Sequence, residues 1–128
     1  MLKMEFAPIH RIALYVRNLP SIASFYGRHF GFEAHFTVKR DRAVLIPAAG
    51  GCRLVLLQAS KGHRLGQSCV KIIFDVEDVR AMKEAQRELG LEFGAIHQGP
   101  GYEFANARDP AKNLIQISSA YLAEEGGA

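Results

Sequence analysis

The chain carries one pattern twice. From Arg11 it reads R-I-A-L-Y-V-R-N-L-P-S-I-A-S-F-Y, and from Lys71 it reads K-I-I-F-D-V-E-D-V-R-A-M-K-E-A-Q. At an offset of about sixty residues, Arg11 falls on Lys71, Leu14 on Phe74, Val16 on Val76, Asn18 on Asp78 and Leu19 on Val79. Each copy then reaches a glycine after a helical pattern, Gly31 and Gly90. A repeat of this kind constrains the whole fold, because each copy must form the same unit and present equivalent positions to whatever the fold binds.

With 128 residues, the two copies are expected to be halves of one domain spanning 1–128, with repeat 1 over about 8–58, a linker over about 59–68 and repeat 2 over about 69–119. A hydrophobic content of 48% suffices for a packed core. No apolar run approaches the roughly 18 residues of a membrane helix, and the opening M-L-K-M-E-F-A-P lacks a signal-peptide core, so a cytoplasmic protein is expected. The net charge of +3 is spread along the chain apart from Lys39, Arg40 and Arg42. That is too sparse for a nucleic-acid footprint, so neither nucleic acid nor membrane is expected as a partner. Cys52 and Cys69 have no metal-like or redox-like spacing and read as small buried apolar residues.

Alternation and β-prone residues predict a strand over 9–17. A helix starts at Pro20 or Ser21, runs through Ile22, Phe25, Tyr26 and Phe30, and stops at Gly31. Strands are expected over 32–39, 42–47 and 52–58, the last two joined at Ala48-Ala49-Gly50-Gly51. In the second copy a strand covers 69–76. Asp78 caps a helix to about Leu89 with Val79, Met82, Ala85 and Leu89 on its apolar face. Strands follow over 92–97, 102–108 and 114–119, with a turn at Asp109-Pro110-Ala111-Lys112-Asn113 and a loose tail from Glu124. The fold class is α+β: two βαβββ repeats forming a curved mixed-sheet cup, with one helix packed outside each half. Period two sends Ile12, Leu14, Val16, Ile72, Phe74 and Val76 toward the helices. It sends Arg11, Ala13, Tyr15, Lys71, Ile73 and Asp75 to the concave side.

Three phrases in order, I-H-R-I-A-L-Y-V-R-N-L with S-F-Y-G-R-H-F-G-F, then K-I-I-F-D-V-E-D-V, then A-R-D-P-A-K-N-L-I-Q-I, together with the repeat, resemble the vicinal oxygen chelate superfamily over roughly residues 8–119. This superfamily includes glyoxalase I, extradiol dioxygenases, fosfomycin-resistance enzymes and bleomycin-resistance proteins. The resemblance implies four metal-ligand positions on the concave face, which fall here on Arg11, Val55, Lys71 and Gln116. Arginine has no lone pair to offer, valine has no donor atom, and lysine is a cation unless heavily desolvated. Only Gln116 offers an oxygen, so no metal and no other cofactor is expected at this site. His10 reaches the concave face only through a one-residue slip that turns Ile12, Leu14 and Val16 away from the helix. Gln58 reaches it only through a bulge.

The concave face then reads as a small-molecule pocket. Ala13, Ile73, Val55, Leu57 and Leu114 are its apolar walls, and Arg11, Lys71, Gln116, Tyr15, Asp75 and Ser118 its polar groups. Arg11 and Lys71 at equivalent positions suit an anion. The alternative is that they snorkel to water or pair with Asp75 or Glu103. Tyr15 and Tyr102 are placed at the mouth, with Phe36 and Phe104 as alternatives; Phe25, Tyr26 and Phe30 are assigned to the core. His29, His35, His63 and His97 have no ligand spacing, and the 61–64 stretch is a linker loop or a lid.

The leading function is a glyoxalase- and bleomycin-resistance-like protein that binds a small, anionic or neutral organic ligand without metal. One alternative is a metal-dependent lyase, isomerase or dioxygenase resembling glyoxalase I. Another is a metal-independent enzyme with Lys71 as base and Arg11 as oxyanion clamp. The family resemblance also implies a homodimer.

Overall fold

The computed structural model describes residue 6 and residues 9–66 and 70–126, so Cys69 lies outside the described residues. The chain divides into two compact units, Met1–Ser60 and Lys61–Ala128.

In the first unit β1 (Arg11–Val16) leads into α1 (Leu19–Phe30), followed by β2 (Phe32–Phe36), β3 (Arg42–Pro47) and β4 (Arg53–Gln58). The sheet order is β1-β4-β3-β2, with β1 parallel to β4 and the other neighbours antiparallel. Alternation in β1 places Leu14 and Val16 in the core and leaves Arg11, Ala13 and Tyr15 exposed, as period two requires. The helix begins at Leu19, one or two residues before the expected Pro20 or Ser21, and its cap is Asn18. Its side chain accepts from the Ser21 amide at 3.1 Å, and Pro20 sits in the first turn, where no amide donor is needed. Gly31 ends the helix with φ +70, a left-handed conformation that glycine adopts without steric cost. Phe25 and Phe30 are only half-buried, whereas Tyr26 is fully buried, its ring edge-on to Phe32 at 5.9 Å. A side chain buried to that degree contributes about 1.5–3 kcal/mol by desolvation.

The second unit repeats the plan: β5 (Lys71–Asp75), α2 (Val79–Glu88), β6 (His97–Gly99), β7 (Tyr102–Arg108), β8 (Leu114–Ser118) and α3 (Ala120–Gly126). Its sheet order, β5-β8-β7-β6, copies the first, including the parallel pairing of first and last strands. Asp78 caps α2 through the Ala81 amide at 3.0 Å. Ile115, Ile117, Ala105 and Phe93 form the packed interior.

Three expectations need correction. The buried face of α2 carries Val79 and Gln86, with Met82 between them, while Ala85 and Leu89 are exposed. Positions 79, 82 and 86 follow the helical period, whereas Leu89 has already left the helix as its cap residue. The burial cost of Gln86 is offset by a hydrogen bond from its Nε2 to Met82 Sδ at 3.5 Å. The strand expected over 92–97 is confined to His97–Gly99. Gly94-Ala95 has poor β-propensity; Leu91 and Phe93 are buried instead, and Gly94 makes one backbone bond to the Asn106 carbonyl at 2.8 Å. The chain is helical over Ala120–Gly126, so the tail is not loose from Glu124, and residues 127–128 lie outside the described residues. The Ala120 amide donates to Ser118 Oγ at 3.1 Å, and Ala, Leu and Glu favour the helix that follows.

Candidate functional site

In the second unit, register aligns the open sheet face in rows. Lys71 lies beside Leu114, which lies beside Arg108. Ile73 lies beside Gln116, which lies beside Asn106. Asp75 lies beside Ser118, which lies beside Phe104. A concave pocket of about 590 Å³ opens on this face. Lys71, Ile73 and Asp75 form one bank, Tyr102 and Phe104 the other, and Gln116 and Ser118 the floor. Ala120 and Tyr121 of α3 close one end, a wall absent from the sequence reading. Its signal was the run of helix formers after two serines.

The floor is polar and satisfied. Gln116 is 9% exposed and its Nε2 donates to Asn106 Oδ1 at 2.9 Å, while Ser118 holds the start of α3. Phe104 packs against His97 with ring centroids 5.2 Å apart and against Tyr102 at 6.1 Å, so the far bank is a continuous aromatic surface. Lys71 and Asp75 are both exposed, and neither forms an ion pair among the described residues. The pairing of Lys71 or Arg11 with Glu103 does not occur. Glu103 alternates with Tyr102 and Phe104, so it faces α2, where Arg80 binds its carboxylate at 2.9 Å and Gln98 donates to it. Of the expected lining in this unit, Lys71, Ile73, Asp75, Tyr102 and Gln116 converge on the pocket; Leu114 shares the face without lining the pocket.

In the first unit, Ala13 lies beside Val55 and Tyr15 beside Leu57 on the open face, and Val55 is buried. Arg11 lies beside Arg53, a residue the sequence reading passed over although it alternates with Val55. Both guanidinium groups are exposed, with no carboxylate partner among the described residues. Phe36 lies elsewhere, stacked under Arg40 at 4.3 Å in a groove against α1. His29 packs on Phe25 at 4.7 Å, and His35 on Glu33 at 3.0 Å. Cys52 is half-buried and its thiol lies 3.4 Å from the Arg53 carbonyl.

The donor set does not fit a metal ion. Arg11, Val55 and Lys71 offer no ligand atom, which leaves the single amide oxygen of Gln116, too few donors to hold a metal ion. Among the described residues no three His, Cys, Asp or Glu side chains converge. The register of β1 contains no slip that would bring His10 to the face, and Gln58 donates its amide to the Arg17 carbonyl at 2.9 Å. No helix is long and apolar enough to cross a membrane among the described residues.

Several solved structures share this fold. TnmS3, an antibiotic binding protein from Streptomyces sp. CB03234, is 19% identical, with 90% of this chain and 97% of that chain covered and a TM-score of 0.73. Lactoylglutathione lyase from Agrobacterium tumefaciens is 22% identical over 90% and 95% of the two chains, with a TM-score of 0.70. A variant of the fosfomycin resistance protein FosX from Listeria monocytogenes, complexed with Mn(II) and a dihydroxypropylphosphonic acid, is 15% identical over 91% of each chain, with a TM-score of 0.67. No curated protein matches the chain. The two βαβββ units, the parallel closure of each sheet and a family profile that matches residues 8–117 agree: the chain belongs to the Glyoxalase/Bleomycin resistance protein/Dioxygenase superfamily.

Proposed function

We propose that the protein binds a small organic ligand on its open sheet faces, without a metal ion. The observation that carries this reading is the pocket of the second unit. It has an aromatic bank, a satisfied polar floor and an unpaired Lys71 where metal-dependent relatives would need a ligand. A lysine ammonium there repels a divalent cation and attracts a carboxylate, a phosphate or a neutral acceptor. Arg11 beside Arg53 gives the first unit the same preference. TnmS3, described as an antibiotic binding protein, supports a binding role for this fold. The reading includes a cytoplasmic homodimer, which light scattering of purified protein checks.

The test is the metal content of tag-free protein after growth with added Ni, Zn, Fe, Mn and Co. Sub-stoichiometric metal, together with thermal stabilisation by a carboxylate or phosphate from a screened panel, supports the proposal. One tightly held divalent ion per chain overturns it and makes lyase chemistry of the glyoxalase I type the leading reading.

A further inference from the structure

The two repeats differ where the fold makes no demand. The fifth residue of β1 is Tyr15, and its counterpart, the fifth of β5, is Asp75. The first unit builds the same strand with a tyrosine there, so the carboxylate of Asp75 is not required by the architecture. It does not cap α2, a task that Asp78 performs. It forms no ion pair among the described residues, yet it lines the pocket.

Lys71 and Asp75 stand four residues apart on one face of β5, which sets their Cα atoms roughly 13 Å apart at about 3.3 Å per residue. Ile73 fills the bank between them. They are too distant to neutralise each other. The aromatic groups are not spread evenly between these ends. Register puts Phe104 in the row of Asp75, across Ser118, and Tyr102 one row further toward α3, whereas the row of Ile73 ends in Asn106. The Asp75 end thus combines a carboxylate with ring faces, a combination that attracts a cation twice over. The row of Lys71 holds Leu114 and then Arg108, with no ring, so that end carries cationic side chains and suits an acceptor or an anion.

We infer that the pocket recognises an elongated, partly aromatic ligand with unlike ends, its cationic end held at Asp75 and the aromatic bank, its anionic end at Lys71. The inference rests on the small-molecule reading above and narrows it from anionic or neutral compounds to dipolar ones.

The experiment is calorimetric titration of the full chain with four probes. They are a biphenyl bearing a para-carboxylate on one ring and a para-aminomethyl group on the other, the two singly charged biphenyls, and the neutral hydroxymethyl biphenyl. The doubly charged probe is expected to bind roughly three- to tenfold more tightly than either singly charged one, as solvent-accessible ion pairs and cation–π contacts would give. Asp75→Asn should remove the advantage of the ammonium alone, and Lys71→Met that of the carboxylate alone. Exchanging the two, Lys71→Asp with Asp75→Lys, should restore only part of the preference, because the reversed probe pairs its charges but leaves its ammonium at the end without rings. Equal affinity for all four probes overturns the dipolar assignment and leaves a binding pocket standing. An Asp75→Asn variant that still prefers the doubly charged probe also overturns it. Failure of every probe to bind overturns both the assignment and the pocket reading beneath it.

Discussion

Removing the carboxylate of Asp109 should cost the β7–β8 turn much of its stability. Asp109 lies between β7 and β8, is 4% exposed, and is the acceptor for three donors: the Ala111 amide at 2.9 Å, the Asn113 amide at 2.8 Å and Asn113 Nδ2 at 2.9 Å. In Asp109→Ala the Asn113 side chain can turn to water, but the Ala111 amide cannot, since Ala111 is 3% exposed. A hydrogen bond to a charged acceptor is worth about 1.5–3 kcal/mol, and a stranded buried donor costs about 1–3 kcal/mol. The shared acceptor makes these losses non-additive, so about 3 kcal/mol is expected for Asp109→Ala. Asp109→Asn keeps one acceptor oxygen and should lose about 1 kcal/mol. At roughly 2 cal/mol/K per residue, a chain of 128 residues should lose about 11 °C in Tm for the alanine variant. Urea unfolding followed by far-UV circular dichroism measures it, with the slope m unchanged if only the native state is affected. A midpoint shift equivalent to less than ~1 kcal/mol for Asp109→Ala would refute the view that this carboxylate organises the β7–β8 turn.

Asn18→Ala should lose about 1 kcal/mol through the Ser21 amide it leaves uncapped, with Asn18→Asp close to wild type in the same urea assay. Phe93→Ala, which empties a site only 2% exposed, should cost about 3–5 kcal/mol, readable by thermal unfolding. Arg80→Ala should cost no more than about 1 kcal/mol, because the arginine side chain of the Arg80–Glu103 pair is 65% exposed; a double-mutant cycle with Glu103→Gln isolates the term. Incubation with a strong chelator should leave Tm unchanged, and a drop of several degrees would contradict the metal-free reading.

The sheets and main helices were legible because two periodicities were clear and their ends were marked. Period two sorted Arg11, Ala13 and Tyr15 from Leu14 and Val16, and Asp78 stood ready as a cap. The site was legible where it depended on the same alternation, as for Lys71, Ile73, Asp75 and Gln116. It failed where packing outweighed pattern. Gln86 reads as polar surface, yet it is buried, with its amide nitrogen bonded to Met82 Sδ. Residues 92–96 have an apolar pattern fit for a strand, yet Leu91 and Phe93 are spent on the interior. Arg53 gains meaning only from its parallel register with Arg11, a pairing between distant segments that no local window contains.

That parallel closure also sets a timetable for the growing chain. The partner of β1 is β4, and residues 17–52 must be made before it exists; β5 waits in the same way for β8. During that interval α1, β2 and β3 can associate locally, while the first strand holds its inward side chains, Leu14 and Val16, without a sheet to complete. Translation therefore exposes two transient, sticky ribbons, one per repeat, and the second persists until residues 114–118 have emerged. A nascent chain that has emerged to a point between residues 76 and 113 would display a finished first unit followed by an orphan strand, an ideal substrate for a chaperone that clasps extended apolar segments.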